Sequence, residues 1–394
     1  MTTPRDRRRL ATVVFAVLFA QVLLYPGVDT LVDAAGAGSG IDASMWFLAA
    51  EFAAFFAFAP VWGAISDATG ERARLVLLGG LGGAAGYAAL AISPAIVDLS
   101  LGAVLALRVA QGAATIGPFS IAMTMLMDLS GGHGRNMGAA GIAIGLGTAL
   151  GAPVGGQLYE LGPFVPLYLA SGLLVCMGLL ALGLEDHGPA GGRRSIARLI
   201  GGLRRTPTLA VPFAFGFIDR LTAGFFALVG TLYFRTAFGL SPGATGVMLA
   251  LFFAPFALLQ YPMGILSDRI GRRGPILAGS TLYGLGVVIV GQAPTPAVAG
   301  LAMVAVGVLG ASMAPATMAL VTDLAVDTER GIAMAGFNAV GSLGFLAGIL
   351  VGGTVASTAG FQTAFLAAGG LEVILALVTV PLFLRLGLGI SRTE

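Results

Sequence analysis

Six ionisable residues sit inside long apolar stretches: Asp29, Glu51, Arg108, Asp219, Arg220 and Glu372. Charged groups inside a membrane are costly and usually functional. A carboxylate taken out of water has its charged form disfavoured, so its proton affinity rises. Such an acid can load and unload a proton as its surroundings change between wet and dry. An arginine beside it can hold the charged form, or simply brace two helices. At about 1.5 Å per helical residue, Glu51 lies roughly 24 Å from the level of Asp67, and Arg108 roughly 30 Å from Asp128. Asp29 is about 20 residues into the first apolar stretch. All three fall in the outer part of the first half, and Arg108 is expected to pair with Asp29 or Glu51 beside a central cavity. Asp219 and Arg220 lie about ten residues into the seventh stretch. Neighbours on a helix diverge by about 100°, so these two are expected to bond different partners. Glu372 lies midway along the last stretch and is left outside the cavity set.

The elements that must position these groups are membrane helices. Of 394 residues, 57% are hydrophobic, only 10% are charged, and the mean hydropathy is +0.94. A soluble globular protein carries about 25% charged residues. A net charge of +2 gives no argument for a nucleic-acid partner. The one cysteine, Cys176, excludes an internal disulfide and reads as a small core residue. The basic start "RDRRR" before an apolar run resembles a secretory leader. It is read instead as the first spanning helix, because the repeat below needs it.

A span needs about 20 mostly apolar residues. Twelve runs qualify, near 10–32, 45–66, 75–93, 99–127, 137–158, 164–184, 208–233, 244–266, 275–293, 297–321, 331–356 and 361–384. The runs are continuous, not alternating with period two, which excludes a β-barrel. Every one of the 21 basic residues is arginine. With the N-terminus inside, 18 of them fall on the cytoplasmic side; only Arg235 falls outside, and Arg108 and Arg220 are within spans. Trp46 and Trp62 near opposite ends of the second span suit two aromatic belts. Phe52, Phe55, Phe56, Phe252, Phe253 and Phe256 read either as pocket lining or as lipid-facing and core residues.

The chain repeats itself. Gly63, Asp67, Gly70 and Arg72 match Gly264, Asp268, Gly271 and Arg273 at an offset of 201. Asp128 and Arg135 match Asp323 and Arg330 at 195, and Gly155-Gly156 match Gly352-Gly353 at 197. Landmarks in one order at nearly one offset indicate two homologous halves. The expected organisation is a six-helix bundle over 1–184, a polar, basic linker over 185–207 with a short surface helix from Ser195 to Leu203, and a second bundle over 208–394.

These motifs resemble those of the major facilitator superfamily over essentially the whole chain. The loop signature G-x-x-x-D-[RK]-x-G-[RK]-[RK] is met by Gly264, Asp268, Arg269, Gly271, Arg272 and Arg273. The first-half copy has Ala68 and Glu71 at two of the basic positions. Arg108, Gln111 and Gly112 match the fourth-span signature R-x-x-Q-G, which adds Gln111 to the cavity set. "GTALGAPVGG", with Gly147, Gly151, Pro153, Gly155 and Gly156, is similar to the fifth-span pattern of the drug:proton antiporter branch, with the proline shifted by one place.

The resemblance implies an all-α membrane protein of twelve transmembrane helices in two pseudo-symmetric six-helix bundles, with both termini cytoplasmic. It implies alternating access in the cell membrane, and an acid of the first span, here Asp29, taking up protons and meeting cationic substrate. It also implies a cytoplasmic latch in which Asp67 faces the eleventh span and Asp268 the fifth. Arg135 and Arg330 would stand near those helix starts. Glycine-rich fifth and eleventh spans would let helices approach closely across the interface of the halves. The reading is proton-coupled efflux of small, partly hydrophobic compounds by a monomer, with a proton gradient and no cofactor. A carrier of a defined metabolite such as a sugar or organic acid is the alternative, and a non-transporting membrane sensor is the alternative of another class. His133 and His187 fall in loops, and neither a metal-ligand spacing nor a phosphate-binding loop is present.

Overall fold

A computed structural model describes residues 4–130, 133–184, 186, 207–326 and 330–385. The expected linker and its surface helix, and His187, lie almost wholly outside that set. All twelve expected spans are helices: α1 (Pro4–Ala34), α2 (Ile41–Thr69), α3 (Arg72–Ile92), α4 (Leu101–Asp128), α5 (His133–Tyr159), α6 (Val165–Ala181), α7 (Pro207–Ala237), α8 (Pro242–Ile270), α9 (Arg273–Gly291), α10 (Pro296–Leu324), α11 (Arg330–Ala359) and α12 (Phe361–Arg385). Eleven are long and apolar enough to cross a membrane; α6, with 17 residues, is a shorter apolar helix. No strand occurs among the described residues. Their outward faces carry bare apolar side chains such as Leu258 and Leu301, as lipid-facing surfaces do.

The helix ends reproduce the repeat in local chemistry. Ser100 caps α4 by accepting a hydrogen bond from Ala103 N, and Thr295 caps α10 from Val298 N; they are 195 apart, like Asp128 and Asp323. Gly70 and Gly271 end α2 and α8 with φ of +70° and +87°, a left-handed turn that only glycine adopts without strain.

The described residues form two compact units. One lies within Met1–Arg193 and Arg235–Ala250, the other within Arg194–Phe234 and Leu251–Glu394. Residues 235–250, the end of α7 and the start of α8, thus pack with the first six helices although the repeat assigns them to the second bundle.

α1 and α7 are both interrupted. In α1, a 3₁₀ turn at Tyr25-Pro26-Gly27 separates two helical pieces. Pro26 has no N–H to give the ladder. The Val28 N–H bonds the Tyr25 carbonyl, the freed Leu24 carbonyl accepts from the Tyr159 hydroxyl at 3.1 Å, and Gly27 leaves room for the same tyrosine ring. In α7, one π-turn over Phe226–Gly230 widens the helix, and Thr231 donates its hydroxyl to the Phe226 carbonyl at 3.2 Å. Tyr25 and Phe226 are 226 − 25 = 201 residues apart, the offset of the loop motif. Rings of Phe225, Phe226, Phe252, Phe253, Phe256 and Phe365 pack around that bulge, so Phe252 and Phe253 are core residues, while Phe56 is exposed.

The glycine-rich helices pack mostly against the interrupted helix of their own half, and Gly156 also meets α8 of the other sequence half. Gly147, Gly151 and Gly155 form a stripe one turn apart against the α1 carbonyls of Phe15, Phe19 and Leu23. Gly344 and Gly348 meet the α7 carbonyls of Phe217 and Leu221, and Gly352 meets the Phe225 ring. Gly353 is buried. Gly156 packs on Pro242 and Gly243, and Gly246 on Ala152 and Pro153, within the first unit. Any Cβ at Gly348 would collide with the Leu221 carbonyl. Overpacking of a tight core costs about 1–3 kcal/mol. Gly348→Val should therefore lower the thermal unfolding midpoint of detergent-purified protein by several degrees, while Gly370→Val, at a position with open space, should not.

Candidate functional site: a buried ion pair at the break in helix α1

Glu51 and Arg108 meet with both side chains fully buried. Arg108 Nη2 donates to Glu51 Oε2 at 2.6 Å, and Arg108 Nη1 donates to Gln111 Oε1 at 2.7 Å. Gln111 Nε2 donates to Thr115 Oγ1 at 2.7 Å, and Thr115 Oγ1 donates to the Gln111 carbonyl at 2.8 Å. Tyr87 turns its hydroxyl toward Glu51 Oε1 at 3.4 Å. The guanidinium lies 4.6 Å from the Phe47 ring centroid and 5.6 Å from that of Tyr87, in cation–π geometry. Gln21, just before the α1 break, adjoins the Glu51 carboxylate, and its amide nitrogen lacks a hydrogen-bond partner. Tyr25, in the break itself, is within electrostatic reach of both members of the pair. Four helices thus converge on one carboxylate.

Local spacing explains the geometry. Arg108, Gln111 and Thr115 follow i, i+3, i+7 and share one face of α4. Gly112, between them, abuts the Glu51 backbone and so brings α2 against α4. The Trp62 indole donates to the Ala113 carbonyl at 2.6 Å and covers Gly117.

Of the two partners left open for Arg108, the structure gives Glu51. Asp29 is elsewhere: it accepts from Arg235 Nε at 2.7 Å, and Arg235 Nη2 donates to Thr30 Oγ1 at 3.0 Å. Glu160 lies exposed near the same end of α7 and α8 and accepts from Gly243 N at 2.9 Å. The hydrogen bond from that helix-start amide, with another from Ser241, holds its carboxyl below the usual value. Sequence reasoning missed Arg235 and Glu160, because no local motif connects them to residues 205 or 83 positions away. Asp219 and Arg220 were expected to bond different partners, and the structure shows the partner of Arg220. Arg220 turns to α11, donating to Asn338 Oδ1 at 2.8 Å and lying over the Phe337 ring at 5.7 Å.

At the cytoplasmic loops, each unit ties its motif to an acid within the unit. Arg72 donates to Asp128 at 2.7 Å. Arg272 donates to Asp323 at 3.1 Å, to Ser267 at 3.0 Å and to Asp268. By alignment Arg72 corresponds to Arg273, yet Arg272 makes the equivalent bond: a helix start can offer either of two adjacent residues to the same acid. Glu71, which replaces an arginine, pairs with Arg74 at 2.9 Å. Arg330 heads α11 and donates to the Thr322 carbonyl at 3.1 Å, and Arg135 lies in the first turn of α5. Gly63 and Gly264 lie in the last turns of α2 and α8, and Arg269 is exposed. Cys176 is exposed on α6, not in the core. Lipid-facing and core positions have the same composition, so sequence alone does not separate them.

The family model of the Major Facilitator Superfamily matches residues 10–234 and 213–389. The chain belongs to the major facilitator superfamily. It is a multi-pass protein of the cell membrane. Similar proteins include the human major facilitator superfamily domain-containing protein 10, 30% identical over 347 residues, 81% of this chain and 74% of that protein. The tetracycline resistance protein class C of Escherichia coli is 27% identical over 312 residues, 75% of each. The class G protein of Vibrio anguillarum is 30% identical over 246 residues, and the match spans 60% of its length. For an uncharacterized MFS-type transporter of Methanocaldococcus jannaschii the match spans 42%. Among solved structures, a bacterial homolog of the human lysosomal transporter Spinster has a TM-score of 0.82 at 14% identity, with 100% of both chains covered. The nucleoside transporter NupG has 0.77 at 18%, covering 97% of this chain and 100% of that one.

Burying an ion pair seldom stabilises a fold, since desolvation offsets the Coulomb gain, but stranding one partner costs about 3–5 kcal/mol. Arg108→Ala should show that loss in thermal unfolding of purified protein. The Glu51→Gln/Arg108→Gln double variant should lose clearly less than the sum of its single variants. Additive losses would contradict the pairing.

Proposed function

We propose that this transporter exports small, partly hydrophobic compounds in exchange for protons by alternating access, as a monomer and without a cofactor. The observation that carries the reading is the sealed Glu51–Arg108–Gln111 cluster beside the broken first helix. A carboxylate so placed has one guanidinium as its charged partner. Protonation of Glu51 would release Arg108 toward Gln111 and free the α1 break to move. Substrate and proton would then compete for the same group. Interrupted helices near a site are a recurring device of transporters, and π-turns cluster at functional sites. Similarity to the tetracycline resistance proteins supports efflux of a drug-like compound. The likeness to NupG is one of fold and carries no substrate. Opening of the outer side would require Arg235 to leave Asp29 and Gly243 to leave Glu160.

Reconstituted protein with an inward-directed proton gradient tests this with tetracycline and ethidium as probes. Outward flux of either that collapses with the gradient is expected. Glu51→Gln should reduce it at least about tenfold, as loss of one charge-assisted contact of roughly 1.4 kcal/mol or more would. Asp219→Asn tests the second-half acid in the same assay. Full flux in both variants would sink the coupling roles. Flux of a sugar or organic acid instead would favour the metabolite carrier, and saturable binding without flux the sensor.

The loop residues Asp67 and Asp268 are proposed to latch the cytoplasmic side, with Asp268 carrying more of it because Arg272 already orders that loop. In a Cys176→Ser background, Asp268→Asn should raise thiol labelling of a reporter cysteine placed on the cytoplasmic half of α5, and Asp67→Asn should raise it less. Unchanged labelling in both would remove the latch.

A further inference from the structure

The second unit contains a carboxyl that the proposed mechanism does not use. Glu372, midway along α12, is fully buried. It sits where Gly284 and Gly369 bring α9 and α12 into backbone contact, and its Cβ packs against Gly284. Glu372 Oε1 accepts a hydrogen bond from the buried Ser280 hydroxyl of α9. Glu372 Oε2 has no hydrogen-bond partner, and neither has the buried hydroxyl of Tyr283, one turn along α9 from Ser280.

The contrast with Glu51 is chemical. Both carboxyls are fully buried, but Glu51 has Arg108, and no arginine forms an ion pair with Glu372 among the described residues. The charged and titratable groups around it are few. α9 offers Ser280 and Tyr283. α7 offers Asp219, within electrostatic reach of both Tyr283 and Glu372, and Arg220, which is turned away to Asn338. α10 and α11 carry only Asp323 and Arg330, at their ends, and Arg272 and the Thr322 carbonyl engage these. A buried carboxyl without a cation takes up a proton, since an isolated buried charge is not sustained. A purely structural contact would also satisfy its polar atoms. Two unsatisfied ones so close together mark a site at which something is gained or lost.

We propose that Glu372, seated on Ser280 and beside Tyr283, is a proton-binding site of the second unit. It holds the proton on Oε2 as a neutral acid in this conformation. It returns it to water when α9 and α12 part enough to hydrate the carboxyl. The step is one proton between water and carboxylate, with no other bond made or broken. Half-buried Asp219 is the neighbouring acid through which water would approach. The use of that proton to drive transport rests on the exchange mechanism above; its binding does not.

Infrared spectroscopy of the purified protein in lipid reads the binding without any substrate. A carboxylic-acid carbonyl band should be present at neutral pH, absent in Glu372→Gln, and shifted on transfer from H2O to D2O. It should bleach reversibly as the pH is raised. Ser280→Ala should keep the band but move it to higher frequency, and this carries the test if the glutamine variant does not fold. A band missing from the native protein at neutral pH overturns the proposal. So does a band that resists both D2O and alkali, which would make Glu372 a sealed strut. Failure of drug–proton exchange in vesicles, with an exchangeable band intact, would instead overturn the transport mechanism and leave this site standing.

Discussion

The ion pair of Glu51 and Arg108 is the constraint on which the first unit depends. Two charges out of water must be matched, and every remaining donor and acceptor around them must find a partner. Gln111, Thr115 and Tyr87 supply most of those partners from α4 and α3, while Arg108 Nε and the Gln21 amide nitrogen are left without one, and Gly112 lets α2 come close enough for the contact. The break at Tyr25–Gly27 belongs to the same solution. Tyr25 of the break lies within electrostatic reach of the pair, and the carbonyl that the break frees is claimed by Tyr159.

The two units solve their common fold with different electrostatics. Both interrupt their first helix at equivalent positions and pack a glycine stripe of the fifth helix against it. The first then encloses a matched pair. The second has no counterpart to Arg108, and surrounds its bulge with aromatic rings while Arg220 within its span turns to Asn338. Pseudo-symmetry fixes where the backbone yields; the side chains decide what chemistry occurs there.

Much of this was legible in the sequence. Twelve apolar runs, the arginine bias and the offsets of 195 to 201 determine the helices and the duplication, because bilayer thickness and hydrogen-bond satisfaction leave few alternatives. The i, i+3 spacing of Arg108 and Gln111 placed both on one face. What was not legible depends on rotation of helices about their axes and on contacts far apart in sequence. Asp29 reads as a cavity acid, but its bond to Arg235, some two hundred residues away, could not be read from the sequence. Arg273 is the aligned counterpart of Arg72, but which of the two adjacent arginines the helix start presents to Asp323 was not legible. The glycines of α5 announced close approach without saying to which helix. Cys176 was misplaced because in a bilayer the inside and the outside of a bundle are equally apolar.

The segment Arg235–Ala250 carries a consequence of its own. By descent it belongs to the second copy, yet its polar ends are completed by Asp29, Thr30 and Glu160 of the first. Structural completeness therefore does not follow the boundary of the ancient duplication. A chain severed in the linker would yield one fragment lacking part of its packing and another holding the missing piece. Neither ancestral half, as it now stands, is a whole protein, and selection acts on the lent segment from both sides.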